Sequence, residues 1–313
     1  MTRRRKHLVT CLSGHGIGPE VMAEASRALA QVSRLHGFAV EQVHPPFGGE
    51  ALTRSGHTLP GPTRRAMLGA DAILVAASET SALASVESEL DLRARVGRVV
   101  FGTRGVVTFL SPLDETAAAW TLARAFAVAR ASRARMTVVA GDSTWREVIE
   151  AESARHHGIH VEELPVGAAF RGLAFDPGRF DVVVGAAPTM EALVEVTAYD
   201  RTPRVAASGR LGASGPGVFT PTHGAAEDIA GQGVANPAEM LLATALMLSE
   251  GLGERSAAET LTGAVLDACS KAAVTPDLVE SGVGATTREF ADVVLSTLPH
   301  SVTNAEFYRE AVA

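Results

Sequence analysis

Residues Thr222–Pro237 read THGAAEDIAGQGVANP. The stretch is long for a connection, rich in glycine, and carries His223, Glu227, Asp228 and Asn236. Polar connections of that length are more often binding loops than spacers. A second glycine-bearing stretch, SGHGIGPEV at Ser13–Val21, follows the apolar run His7–Leu12 and precedes a helical pattern. Gly14, Gly16 and Gly18 permit a tight turn and close approach of backbone to a ligand, and a helix N-terminus favours an anion. Alone, this spacing is equally that of an ordinary strand-to-helix turn.

The 313 residues, 46% of them hydrophobic, suffice for a large core divided between two lobes. A net charge of -7 argues against general nucleic-acid binding. The one dense basic cluster, Arg3-Arg4-Arg5-Lys6, reads as a frayed, solvated terminus. Cys11 and Cys269 are the only cysteines, too few for a disulfide framework or a cysteine zinc site. No secretory leader is expected, because the chain reaches Gly14 too soon after its basic start for an apolar core. The longest apolar helix candidate, Ala238–Leu248, is interrupted by Glu239 and too short to span a bilayer. A cytoplasmic, soluble protein without membrane or nucleic-acid partners is therefore expected.

Short apolar runs alternate with helical stretches, the pattern of an α/β protein. Strands are expected at Leu8–Leu12, Phe38–Val43, Ala72–Ala76, Val99–Phe101, Val106–Phe109, Met136–Ala140, His160–Leu164, Asp181–Val184 and Arg204–Ala207. Helices are expected at Pro19–His36, Thr63–Leu68, Glu115–Ser132, Thr144–His157 and Pro188–Ala198. The tail turns helical at Pro237–Glu250, Ala257–Ala272, Thr286–Leu298 and Ala305–Ala311. Gly/Pro-rich joints fall at Phe47–Gly49, Pro60–Pro62, Pro165–Gly172, Gly209–Gly217 and Gly231–Pro237, with Gly209–Gly217 read as the most flexible.

Three stretches taken together carry a resemblance: SGHGIGPEV, PFGGEALTRSGHTLPGPTRRAMLGADAIL at Pro46–Leu74, and the opening THGAAEDIAGQGVANP. In this order they resemble the 3-isopropylmalate/isocitrate dehydrogenase family of β-decarboxylating dehydrogenases, with His15 where the family turn has Asp. The resemblance implies a two-domain isopropylmalate dehydrogenase-like α/β fold, with twisted mixed sheets flanked by helices, distinct from the common Rossmann fold. It implies one domain from residues 1–91 and 199–313 carrying the NAD-type loop, a middle domain at 92–198, and a homodimer. His223, Gly224, Ala225, Asp228, Ile229 and Asn236 are then expected to line the adenosine end of NAD, and Glu79 to lie near the nicotinamide ribose. A carboxylate such as Asp228 accepts two ribose hydroxyls and repels a 2′-phosphate, which favours NAD over NADP. A turn-capping role for Asp228 is the structural alternative.

The substrate half of the resemblance is altered. The family grips substrate carboxylates with arginines, transfers protons with a Lys and a Tyr, and holds Mg²⁺ or Mn²⁺ with three aspartates. Ser143 stands at the lysine position, and the only lysines are Lys6 and Lys271. The only tyrosines are Tyr199 and Tyr308, and RGVVTFLSPLDE runs into the next helix without the arm that clasps family dimers. Arg104 matches one arginine; Glu87 or Val86 stands at another; a third aligns near Gly97, with Arg95 and Arg98 close by. Gly167 replaces the bridging aspartate, while Glu191 and Glu195, four apart on one helical face, remain for a weak cation site. Glutamates that open a helix also serve its dipole, so a structural role competes. His15 is either an acid–base group or a hydrogen-bonded structural residue. Asp142, Ser143 and Thr144 read as ligands of a hydroxyl or as a helix cap before Trp145.

The expected function is an NAD-binding oxidoreductase-like protein acting on a small molecule other than the usual 2-hydroxy-3-carboxy acid. Arg104 is the candidate for a single anionic group, His15 or Asp142 for proton transfer, and Glu191 with Glu195 for a cation or amine. A catalytically silent nucleotide- or partner-binding paralogue is the alternative, as is a lyase or transferase reusing the site without NAD. The expected dimer joins through Met190, Leu193, Val194 and Val196 of Pro188–Ala198, unless these serve the protein's own core.

Overall fold

The computed structural model describes residues 5–77, 83–101, 105–139, 143–196, 205–270, 275–278 and 284–310, with the side chains of 143, 144, 146, 195, 196, 278 and 299–310 excepted. The chain forms two compact units, one of Met1–Asp91 with Ala207–Ala313 and the other of Leu92–Ala206.

The first unit opens with β1 (Lys6–Leu12), α1 (Gly18–Leu35), β2 (Ala39–Val43), α2 (Gly49–Ser55), α3 (Gly61–Leu68) and β3 (Ala72–Val75). The four residues of β3, AILV, are all buried, the continuous apolar run of a strand covered on both faces. Val21, Met22, Ala25, Ala28, Leu29 and Val32 of α1 are buried at helical spacing. Pro19 and Glu20 in its first turn and Arg34 in its last suit the helix ends. Lys6 belongs to β1 and pairs with Glu41, and Arg5 pairs with buried Glu254, so the basic cluster is tied down from Arg5 onward.

The second unit holds β4 (Leu92–Val100), β5 (Val106–Pro112), α4 (Ala118–Arg130), β6 (Arg135–Val139), α5 (Ser143–Ser153), β7 (His160–Leu164), α6 (Val166–Phe175), β8 (Val182–Val184) and α7 (Ala187–Val196). Its sheet order is β4-β5-β8-β6-β7. β4 and β5 are antiparallel and the remaining pairs parallel. One core gathers Phe101, Phe109, Val139, Leu173, Phe180, Met190 and Leu193.

The chain returns to the first unit along β9 (Val205–Gly212), followed by β10 (Gly217–Pro221), α8 (Ala238–Leu246), a π-helical turn at Met247–Gly251, α9 (Arg255–Ser270) and α10 (Thr287–Glu310). The sheet of this unit has the order β2-β1-β3-β10-β9. β1, β2, β3 and β10 are mutually parallel, and β9 runs antiparallel to β10. Among the described residues no helix is long and apolar enough to cross a membrane.

Four expectations need correction. Gly209–Gly217 is a hairpin rather than a flexible joint: a Cβ on Gly209 or Gly217 would press into the buried Phe219 ring at 2.8 and 2.9 Å. Pro165–Gly172 is mostly helix α6, in which Ala169 and Leu173 are buried one turn apart. Gly172 fits there because a Cβ would meet the Phe180 ring at 2.6 Å. Residues 85–91 form turns, and β4 begins at Leu92 instead of near Val99. The tail ends in the single helix α10, started by a reciprocal cap in which Thr286 N donates to Glu289 (2.8 Å) and Glu289 N to Thr286 Oγ1 (3.1 Å).

Candidate nucleotide and substrate sites

In the first unit the glycine turn and the 222–237 loop are fastened to each other. Gly14 and Gly16 lie at φ +70° and +60°, where a side chain is strained. A Cβ on Gly16 would meet the Ala225 carbonyl oxygen at 2.0 Å, and one on Gly18 the Ser13 carbonyl oxygen at 1.9 Å. This closeness lets Ile17 N donate to Ala225 O at 2.8 Å. Glu20, in the first turn of α1, accepts from Gly231 N and, at 3.1 Å, from Gly233 N. His15 Nε2 stands 3.3 Å from Glu227 Oε1, which ties the ring to the loop. Glu239 of α8 holds the loop's beginning, accepting from Thr222 N (3.0 Å), Thr222 Oγ1 (2.7 Å) and His223 N (2.9 Å). Thr287 holds its far end, its N and Oγ1 donating to Gly233 O (2.8 Å) and Ala235 O (2.6 Å). The loop's backbone is thus fixed by side chains from three helices.

Within this frame His223 has one engaged nitrogen and one bare one. Nδ1 faces its neighbour's carbonyl, Gly224 O, at 2.9 Å and donates to it. Nε2 is buried and has no hydrogen-bond partner among the described residues. An unsatisfied buried polar nitrogen is uncommon and suits a hydrogen-bonding group brought by a ligand. Gly224 beside it is exposed, with nothing within 4 Å of the position a Cβ would take. Asp228 lies on the 3₁₀ turn Glu227–Ile229 and is exposed. Its carbonyl oxygen accepts from Gln232 Nε2 at 2.8 Å, while its carboxylate accepts no hydrogen bond among the described residues, so it caps nothing. Ala225 contributes its carbonyl to the glycine turn, and Ile229 is half-buried. Asn236 is used internally at both ends of its amide: Oδ1 accepts from Ala238 N (2.9 Å), and Nδ2 donates to Asp277 (3.0 Å). Glu79 lies outside the described residues.

In the second unit Arg104 and Asp142 lie outside the described residues, and Ser143 opens α5 without a described side chain. Gly167 sits exposed in the first turn of α6 and supplies no ligand group. Glu191 of α7 accepts from Arg95 Nη1 at 2.5 Å. Glu195 is in the same helix, its side chain undescribed. No group of three or more His, Cys, Asp or Glu side chains among the described residues is placed to hold a metal. A divalent cation on Glu191 has to displace a guanidinium already in contact with it, so the described donors fit a metal poorly. Glu87, in the first unit, is also paired, with Arg210 of β9. Burial pushes the Cys11 and Cys269 thiols up to about 12, Asp277 adding to the latter, which keeps both protonated and poor nucleophiles.

The apolar set expected at a dimer contact divides. Met190 and Leu193 are in the second unit's own core, and Val194 packs against it. Among the described residues the large exposed apolar side chains of this unit are instead on α6: Val166, Phe170 and Phe175, the last 85% exposed.

An isocitrate/isopropylmalate dehydrogenase family model matches residues 8–103 and 102–294. The apo β-decarboxylating dehydrogenase of Thermococcus kodakarensis superposes with a TM-score of 0.80 at 21% identity, covering 94% of this chain and 96% of that one. Isocitrate dehydrogenase from Methylococcus capsulatus gives 0.72 at 21% identity, over 93% and 99%. The fold is therefore the two-domain α/β fold of these dehydrogenases. The 3-isopropylmalate dehydrogenase of Synechococcus sp. (strain CC9605) is 30% identical, over 88% of this chain and 95% of its own. That of Streptococcus thermophilus (strain CNRZ 1066) is 30% identical over 94% and 99%. The chain belongs to the isocitrate/isopropylmalate dehydrogenase family.

The Glu20 and Glu239 anchors and the Arg95–Glu191 pair were not singled out from the sequence. Glu20 had a signal, since it closes the GIGPE turn; Arg95 and Glu191 were marked separately, as a substrate arginine and a cation ligand but not as partners, and Glu239 had no signal beyond being charged.

Proposed function

We propose that the protein is an NAD-binding oxidoreductase of this family whose substrate half departs from that of a metal-dependent oxidative decarboxylase. The observation that carries the nucleotide reading is the bare, buried Nε2 of His223 beside the open space at Gly224. The exposed, unengaged Asp228 carboxylate one turn further on has both oxygens free for a ribose diol, and its charge disfavours a 2′-phosphate. Ala225 and Ile229 border the same loop, and Glu79 is assigned to the nicotinamide ribose. Asn236 positions the loop through its own hydrogen bonds. Bound NAD supplies hydride transfer; the chain's part is to hold and orient it.

The substrate reading rests on Ser143, Gly167 and Glu87 or Val86 at positions where the family places a lysine, an aspartate and an arginine. Arg104 receives one anionic group of a small-molecule substrate, and Asp142 with Ser143 handles the proton. The His15 ring, held by Glu227, serves the loop. Mg²⁺ and Mn²⁺ have a poor site at Glu191, since Arg95 already occupies it. The working form is a homodimer, supported by the exposed Val166, Phe170 and Phe175 rather than by α7. Two unpaired cysteines accord with a reducing, cytoplasmic setting. The pairing of Glu87 and Glu191 with arginines also favours a second reading, a nucleotide-binding paralogue without turnover.

Calorimetric titration with NAD and with NADP tests the nucleotide assignment. NAD is expected to bind at least tenfold more tightly, and Asp228→Ala to weaken NAD and narrow the difference. Equal or tighter NADP binding, or no heat with either, refutes it.

A further inference from the structure

The second unit places a guanidinium where the family resemblance calls for a metal. Arg95 and Gly97 are two apart on β4 and share one face of the strand. A Cβ on Gly97 would lie 3.8 Å from Val194 Cγ2, so that face looks onto α7. Glu191 and Val194 are three apart on α7 and are neighbours on the side turned to β4. The arginine missing at Gly97 is thus replaced from the same face two residues earlier, and Arg95 reaches Glu191 at 2.5 Å.

We propose that Arg95 is the resident cation of Glu191, standing where a divalent metal is expected and presenting its remaining N–H groups to a carboxylate or carbonyl oxygen of the substrate. This deepens the reading of the substrate half given above and rests on it. A guanidinium has five N–H donors in a rigid fork, and Glu191 engages Nη1, so donors remain for a ligand. Both side chains are about half exposed, 52% and 56%, so the pair adds little to folding and is accessible to a small molecule. Two like unit charges about 4 Å apart in water disfavour each other by a factor of about five, and a divalent ion beside Arg95 by about 30-fold. A site with few protein ligands is already weak for Mg²⁺ or Mn²⁺, and that factor removes it from use.

Mn²⁺ titration followed by paramagnetic broadening of the Val194 methyl resonances tests this, because broadening detects even weak occupancy near Glu191. In Arg95→Gln the half-broadening concentration is expected to fall by a factor of about 10 or more relative to wild type. The double variant Arg95→Gln/Glu191→Gln is expected to return to the wild-type value. Equal titrations for wild type and Arg95→Gln overturn the assignment, as does wild-type saturation below about 1 mM, within reach of a dedicated Mn²⁺ site. Circular dichroism melting on each sample verifies the fold, which an exposed pair does not determine. NAD calorimetry on the same samples keeps the two readings apart: its failure refutes the nucleotide assignment, whereas the Mn²⁺ result judges Arg95.

Discussion

Gly16→Ala probes the contact on which the nucleotide reading depends. Gly16 has φ +60°, and an added Cβ would lie 2.0 Å from the Ala225 carbonyl oxygen, far inside contact distance and against backbone that cannot rotate away. Two costs follow. A left-handed backbone with a Cβ costs about 1–2 kcal/mol, and forcing the two loops apart about 1–3 kcal/mol more. Gly37→Ala is the internal control, since Gly37 has φ +74° with nothing within 4 Å of its Cβ position; it bears the backbone strain alone, about 1–2 kcal/mol. Denaturant unfolding of both variants is therefore expected to separate them by about 1–3 kcal/mol. Because the displaced element is Ala225 with its neighbours His223 and Gly224, Gly16→Ala is also expected to lose NAD affinity while Gly37→Ala keeps it. Equal destabilisation with unchanged NAD binding in both would show that the glycine turn and the 222–237 loop do not meet as described.

Burial holds His36 and His44 below the ordinary imidazole value of 6.5, with Glu254 and Glu259 drawing His36 partly back. Below that value the unfolded chain takes up more protons than the folded one, so this contribution is complete above it and lost as pH falls through the lowered folded values. Melting temperature should decline between about pH 7.5 and 5.5, and less so in the His36→Gln/His44→Gln variant; parallel declines would contradict this. For assembly, light scattering is expected to give twice the 32.5 kDa chain mass for wild type and the chain mass for Phe170→Asp/Phe175→Asp. A wild-type mass near 32.5 kDa sinks the α6 interface.

The sequence was most readable where one periodicity and one burial pattern coincide, as in β3 and α1. It misled where a glycine answers to a ring that arrives from elsewhere. Gly172 inside α6 and Gly209 and Gly217 around the β9–β10 hairpin look like breakers in one dimension, yet each is clearance for Phe180 or Phe219. The α7 apolar set was equally ambiguous, because Met190 and Leu193 have the same spacing whether they meet a partner or their own sheet. The two loops of the candidate nucleotide site were marked by their resemblance to a family, and the structure adds their mutual fastening. Glu20 reaches a backbone 211 residues away and Arg95 a carboxylate 96 away. Contacts of that separation leave no local pattern, so side-chain partners were the part that required coordinates.

NADH formation from 3-isopropylmalate and from isocitrate, with NAD and Mg²⁺ present, tests most directly the claim that the nucleotide half is kept while the substrate half is changed. Loss of a positioned proton-transfer group costs on the order of 10²–10⁴ in rate, so turnover is expected at least a hundredfold below an ordinary value of about 10 s⁻¹, in protein that binds NAD by calorimetry. A turnover number near 10 s⁻¹ on either acid would contradict the account.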